Sequence, residues 1–406
     1  MARRHIPTRV DEITPAWLTA ALRERGVLGT AQIEAVEAES LGEGEGFVGR
    51  IACLHLRFDR PEPGLPQTLI AKLPTSVRSN RAAGELLGLY EREILFYEEL
   101  AAHVALRTPR IYYAALDPNP GSQYGPAIVR FLEGQPAWLL SPQLALYGWL
   151  AGLSRRRYLL LMEDLRPARL GDHVAGCESR TARRALRALA RAHASLWQSG
   201  LLREQHWLYG LDATASMWQL AFRRSRPTFE ARYLPRMGAR VRGLLDWLDG
   251  HGVELARIFQ RSAPETLLHT DYRLDNLFFD DREPENGVAA IDWQTASRGP
   301  GVFDAAYFLS TSLEPDVSEE AVHELLRAYH AELEASGVPG YDFEACRRHY
   351  EYALLLILHR MVTAEALDLG ERRGVALFDA SLRRVEARLR TIEPKRLLLS
   401  GDFVEY

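Results

Sequence analysis

His269-Thr270-Asp271-Tyr272-Arg273-Leu274-Asp275-Asn276 is the stretch on which the reading of this chain turns, together with Ile291-Asp292-Trp293, whose aspartate follows Asp271 by 21 positions. The first segment sets a carboxylate five residues before a carboxamide. The second sets another carboxylate directly after the apolar run Val288 to Ile291. Transfer of a phosphoryl group to a hydroxyl needs these parts: a carboxylate to orient the attacking hydroxyl and accept its proton, and oxygen ligands to hold Mg²⁺ against phosphates. Asp271 fits the base; Asn276 and Asp292 fit the metal ligands. His269 reads as a side chain that packs and bonds the loop, and Asp275 as an acid that stabilises it. Any one of these residues occurs in chance loops, so the weight lies in their order and in what stands upstream.

Upstream, Lys72 ends Leu69-Ile70-Ala71-Lys72, an apolar strand from which an ammonium can reach the α and β phosphates of ATP. A helix is expected from Ala82 to Ala101, where Leu86, Tyr90, Glu93, Tyr97 and Leu100 recur at helical spacing and put one acid inside an apolar stripe. A charge on a buried face costs several kcal/mol unless it is paired, and Lys72 is the natural partner of Glu93. Glu91, between Leu87 and Glu98 on a more polar face, is the competing acid. Gly44-Glu45-Gly46-Phe47-Val48-Gly49 spells G-x-G-x-x-G, a weak signal alone because unrelated nucleotide sites use it. Here the glycines precede the alternating strand Arg50 to Phe58 rather than a helix. That context favours a loop over ATP phosphates, with Gly44, Gly46 and Gly49 admitting close backbone approach, and disfavours a dinucleotide fold.

Around these motifs the periodicity divides the chain. A short helix is expected near Trp17 to Leu22, strands at Ile51 to Phe58, Thr68 to Leu73, Arg110 to Leu116 and Tyr158 to Met162, and one strand-rich island at Thr266 to Trp293. Helices are expected at Thr181 to Trp197, Val241 to Leu248, Glu319 to Ala335 and Phe343 to Leu369. This is an α+β, two-lobed pattern: a β-rich lobe over residues 1–162 carrying one key helix, and a mostly helical lobe over residues 163–406. The cleft between the lobes is the expected ligand site. The segment 123–157, with Trp138, Trp149 and several prolines and glycines, parts the fourth and fifth strands as an insertion: a tolerated surface excursion, or a lid or partner surface.

Composition narrows the partners. The chain has 406 residues, 26% charged, and a formal net charge of −4, so no basic field marks it for nucleic acid. Cys53, Cys177 and Cys346 are scattered with no CxxC pair, which fits a reducing compartment and neither a disulfide framework nor a zinc site. No apolar run suits an export signal or a membrane span, so a cytoplasmic location is expected.

The assembled motifs resemble the aminoglycoside phosphotransferase and choline kinase superfamily, of protein-kinase-like fold, and within it the branch of ecdysteroid-kinase-like proteins. The likeness rests on His269 to Asn276 with Phe278-Phe279, on Ile291-Asp292-Trp293-Gln294, and on Gly299-Pro300-Gly301-Val302-Phe303-Asp304. It extends over Glu93 to Tyr97, Leu160 to Leu165 and Leu189 to Trp197, and so from about Leu41 to beyond Phe308. The resemblance implies ATP and Mg²⁺ as cofactors and a backbone hinge facing adenine at Met162, Glu163 and Leu165. It implies further that Asp304 supports the catalytic loop. Thr270 departs from the glycine usual in the family.

Three competing functions are weighed against this. A protein kinase needs an activation segment, and the eleven residues between Asp292 and Asp304 leave no room for one. An inactive nucleotide-binding scaffold is disfavoured because Lys72, Asp271, Asn276 and Asp292 are all present. A nicotinamide oxidoreductase is disfavoured because the glycines open no helix. The acceptor is expected to be a small hydroxylated molecule held by the helical lobe. An aminoglycoside or macrolide is the alternative, but Glu351, Glu365, Asp368 and Glu371 are interleaved with Arg347, Arg348, Arg360, Arg372 and Arg373, which favours an uncharged acceptor. Trp207, Trp218, Trp247, Tyr350 and Tyr352 are candidates for an apolar lining.

Overall fold

The computed structural model describes residues 5–41, 49–119, 125–365 and 372–393. The front of the molecule opens with α1 (Pro15–Glu24), whose first turn is set by Pro15 and by the Thr14 hydroxyl accepting the Trp17 N–H. Strands β1 (Ile33–Ser40), β2 (Gly49–Phe58) and β3 (Thr68–Pro74) follow, then α2 (Arg78–Leu86), α3 (Leu89–Leu95) and β4 (Ile111–Leu116). Helices α4 (Gly125–Glu133) and α5 (Ala137–Ala151) separate β4 from β5 (Tyr158–Glu163). Among the described residues these strands form one antiparallel sheet in the order β1-β2-β3-β5-β4.

Strand alternation decides what each face carries. Leu69, Ala71 and Leu73 of β3 join Ala52, Leu54 and Leu56 of β2 and Leu18 and Leu22 of α1 in one core. The opposite face holds Tyr158, Leu160 and Met162 of β5 against Leu89, Tyr90 and Ile94 of α3. Lys72, between Ala71 and Leu73, therefore points to the α3 side.

The helix expected from Ala82 to Ala101 is broken. Gly88 takes φ 65°, in the left-handed region, and starts α3 in a new direction; α3 then continues through a π-helical turn at Phe96–Leu100. Leu86 consequently lies in α2, 41% exposed, and does not belong to the stripe that carries Glu93. The segment expected as an insertion is helical over its described part: α4 and α5 are nearly free of charge and pack against α2 of the front lobe and against a long helix of the back lobe, Ala215–Tyr233.

The back is helical: β6 (Arg169–Leu170), α6 (Ser179–Ser195), α7 (Gly200–Glu204), α8 (Ala215–Tyr233) and α9 (Ala239–Ser262) come first. The strand island is β7 (Glu265–Leu268), β8 (Leu277–Phe279), β9 (Val288–Ala290) and β10 (Ser297–Pro300). Then come α10 (Val302–Thr311), α11 (Glu319–Ala335), α12 (Phe343–Ala364) and α13 (Arg372–Arg388). One apolar core runs through α6, α8, α9, α10, α11 and α12, with Phe222, Phe259, Phe303 and Phe308 fully buried. Leu267, Leu268, Leu277, Phe279 and Val288 of the strand island belong to this core. Tyr350 and Tyr352 lie in this core, and Trp247 stacks on His251 in α9, so these three do not line the cleft.

Candidate active site

Lys72 is 6% exposed, and its Nζ donates to Glu93 Oε1 at 2.8 Å and to Asp292 Oδ1 at 2.7 Å. Burial by itself pulls the Lys72 pKa down; the adjoining Asp292 and Glu93 carboxylates override it and hold the ammonium above its ordinary value. Asp292 is pulled the other way: burial would raise it, and Lys72 keeps it below the usual carboxylate range. Glu93, 1% exposed, is raised chiefly by burial, opposed by Lys72 and by the Tyr158 hydroxyl, which donates to Oε2 at 2.9 Å. Glu91 turns elsewhere and meets Arg156 at 3.5 Å.

The loop of His269 to Asn276 is built on Asp304. That buried carboxylate accepts the N–H of His269 at 2.6 Å on Oδ2 and of Thr270 at 2.8 Å on Oδ1. His269 Nε2 donates to the Ile291 carbonyl at 2.8 Å, while Nδ1 accepts the Asp271 N–H at 3.3 Å, so the imidazole braces the loop against the strand before Asp292. Thr270 sits at φ 62°, a backbone state that suits glycine and costs a β-branched residue about 1–2 kcal/mol. Its hydroxyl, donating to the Thr295 carbonyl at 2.9 Å, helps to hold it there.

Asp271 is wrapped by donors. Tyr307 Oη donates to Oδ1 at 2.9 Å, and Asn276 Nδ2 and Arg273 Nε donate to Oδ2 at 2.9 and 3.2 Å. With its amide nitrogen turned to Asp271, Asn276 keeps its carbonyl oxygen as an acceptor. The β8–β9 register pairs Leu277 with Ala290, and the Ile291 N–H donates to the Asn276 carbonyl at 3.0 Å, so Asn276 and Asp292 end adjacent strands side by side. Asp292 takes φ 66°, and Gln294 Nε2 donates to its Oδ2 at 3.4 Å. Gln294 Oε1 is buried with no hydrogen-bond partner. A carboxylate, a carboxamide oxygen and an orphaned amide oxygen in one place form a hard-oxygen donor set that fits Mg²⁺, which takes few protein ligands and keeps waters and phosphates.

These groups open into a single cavity of about 2020 Å³, large against the 300–1,000 Å³ typical of small-molecule sites. Gly49, Lys72, Glu93, Met162, Glu163, Leu165, Asp271, Asn276 and Asp292 all line it. Gly44 and Gly46 lie outside the described residues, as do Asp368 and Glu371. The far wall is apolar, made by Ile128, Leu132, Leu144 and Tyr147 of the insertion with Trp207, Trp218, Met361 and Phe378 of the back lobe. Two arginines stand in the wall: Arg92, which sequence reasoning missed, and Arg360, one of the arginines interleaved with the late acids. Arg92 is pulled down to about 10 by burial, with Tyr209 under its guanidinium, and Arg360, also lowered by burial, stands over Phe303. Tyr307, which braces Asp271, was likewise missed; its place three residues after Asp304 in α10 was the only sequence hint.

The fold and the cleft define a protein-kinase-like phosphotransferase architecture. Similar in fold are aminoglycoside 2'-phosphotransferase-IIIa in a GDP complex (14% identity, TM-score 0.50, covering 92% of this chain and 98% of that one) and Plasmodium vivax ethanolamine kinase (10%, 0.52, 92% and 87%). Choline kinase from Cryptosporidium parvum is a third (10%, 0.50, 91% of each chain). No curated protein sequence matches the chain. Residues 43–337 match the ecdysteroid kinase-like family, and the chain belongs to that family. Family and fold together support small-molecule kinase activity.

Proposed function

We propose that this chain transfers the γ-phosphoryl group of Mg-ATP to a hydroxyl of an uncharged, largely apolar small molecule. The observation that carries the acceptor class is the state of the acids in the cavity wall. Among the described residues every one already faces a cation: Glu85 and Glu91 face Arg156, Glu93 and Asp292 face Lys72, Glu163 faces Arg107, Asp164 faces Arg166, Asp271 faces Arg273, and Asp275 faces Arg373. A polycationic aminoglycoside would need spare carboxylates there, while the wall offers instead two further arginines, aromatic rings and aliphatic side chains.

The chain's own groups divide the work. Lys72, oriented by Glu93, would hold the α and β phosphates, and the backbone from Met162 to Leu165 would face the base of the nucleotide. Asn276 and Asp292 would hold Mg²⁺, which when bound neutralises the charge of the phosphate oxygens. Asp271, fixed by Arg273, Asn276 and Tyr307, takes the proton of the acceptor hydroxyl as its oxygen bonds to phosphorus and ADP leaves. The lobe boundary falls after β5, and the cytoplasm, where ATP is abundant, is the compartment this reading requires.

The test is an ATP-consumption screen of the purified chain against sterols, long-chain and aromatic alcohols, sugars and aminoglycosides. Turnover with an apolar alcohol, absent in Asp271→Asn, is the expected result. Turnover confined to aminoglycosides would overturn the acceptor class, and ATP consumption that survives Asp271→Asn would overturn the mechanism.

A further inference from the structure

Seven of the nine large hydrophobic side chains exposed among the described residues fall between Ile128 and Leu153; Ile128 and Leu150 line the cavity, and Phe131, Trp138, Leu146, Trp149 and Leu153 do not. Trp138 is 74% exposed, Trp149 61% and Phe131 59%. Scattered apolar residues are ordinary on a soluble surface; a contiguous patch of this kind marks something that covers it. Helix α5 shows how the patch arises. Its Leu144 and Tyr147 face the cavity, while Trp138, Leu146 and Trp149 share the opposite side, so the helix is apolar all round yet has only one face buried.

The charges around the patch are of one sign. From Gly125 to Leu153 the sequence carries only Arg130 and Glu133. Glu133 turns inward to the Ser216 N–H at 2.7 Å and to Arg257 at 3.5 Å. Glu85 and Glu91 of the neighbouring helices are engaged by Arg156. Exposed at the rim are Arg130, Arg155 just past the end of α5, and Arg224 of α8, which donates to Ser141 of α5. A second copy of the chain docking by the same patch would bring this arginine rim against itself. An anionic lipid surface complements it, with tryptophans at both ends of the helix to sit among the headgroups.

We infer that α4 and α5 form a membrane-docking face that seats the chain on an anionic bilayer without crossing it. The same two helices wall the cavity, so docking brings the acceptor end of the cavity to the lipid surface. The use of that contact to admit an apolar acceptor rests on the proposed function; the docking itself does not.

The experiment is co-flotation of the full chain with vesicles of phosphatidylcholine, with and without phosphatidylglycerol. It compares wild type, Trp138→Ser/Trp149→Ser and Lys72→Met, with analytical ultracentrifugation of the same samples. Neither tryptophan lines the cavity. Wild type and Lys72→Met are expected to float with the anionic vesicles. The double variant, unchanged in thermal midpoint and in nucleotide binding, is expected to partition about 10-fold less or weaker still. Failure of wild type to float, or equal flotation of the double variant, overturns the inference. Reversible dimerisation abolished by the two substitutions, without vesicle binding, assigns the patch to a second copy. Phosphotransfer to a soluble alcohol in any of these cases leaves the proposed function standing.

Discussion

Replacing Lys72 by methionine should destabilise the front lobe more than any other single change in the cleft, because it strips the cation from between two carboxylates. Nζ lies 2.8 Å from Glu93 and 2.7 Å from Asp292, and Glu93 is 1% exposed. Each contact is worth about 6 kcal/mol of Coulomb attraction at an effective dielectric near 20, most of it offset by desolvation. Breaking a buried pair by removing one partner typically costs about 3–5 kcal/mol, and Lys72→Met is expected in that range. Glu93→Gln should cost less, about 1–2 kcal/mol, since Asp292 still neutralises the ammonium and the amide can still accept from Tyr158. In the double variant no unpaired charge remains at Glu93, so its loss should fall short of the sum by about 1–3 kcal/mol. Urea unfolding of the four proteins, followed by circular dichroism, gives the coupling. Glu91→Gln is the control: with Arg156 as its only ion-pair partner among the described residues and a partly exposed side chain, it should lie within about 1 kcal/mol of wild type. Strict additivity of the Lys72 and Glu93 losses, or a Glu91 effect as large as that of Glu93, would refute the reasoning.

Asp271→Asn should lower turnover by a factor on the order of 10² or more while leaving nucleotide affinity near that of wild type, which calorimetry with Mg-ATP and a phosphate-transfer assay separate. Asp292→Ala should abolish the magnesium-dependent part of the thermal shift that ATP produces; a shift equal to that of wild type would place the metal elsewhere. Acid stability should report two buried histidines. Burial, reinforced by neighbouring arginines, lowers His173 to about 2 and His359 to about 3 from the ordinary 6.5. Below pH 6.5 the unfolded chain binds protons that the folded chain refuses. Stability is therefore full above that pH and falls as pH drops toward the folded values, by about 1.4 kcal/mol per histidine at one unit below. His359→Gln should remove one proton's worth of this slope in urea titrations between pH 6.5 and 4.5, and an unchanged slope would count against it.

Local spacing carried a large part of this molecule. The two-period pattern of Ile51 to Phe58 and of Thr68 to Leu73, the helical run Glu319 to Ala335 and the His269 to Asn276 spacing are set within a few residues by strand or helix geometry, and the family could be read from such runs. The break at Gly88 was not legible in that way. Glycine is compatible with a continuing helix, and only the packing of α3 against β5 selects its left-handed state and removes Leu86 from the Glu93 stripe.

What the sequence by itself determined is therefore the two-lobed α+β division and the set of polar residues available to the cleft, because both follow from periodicity and from the scarcity of charge in apolar runs; the kinase-like fold came with the resemblance of the motifs to a family. The tertiary structure decided their partners. Lys72 meets Asp292 across 220 positions and Tyr307 reaches Asp271 across 36, contacts that no window of sequence contains. It also decided that α4 and α5, expected only as an insertion, turn one apolar face to the cavity and leave the other bare. An apolar helix with no period has no preferred side until other elements pack against it, and here α8 and α2 cover only one.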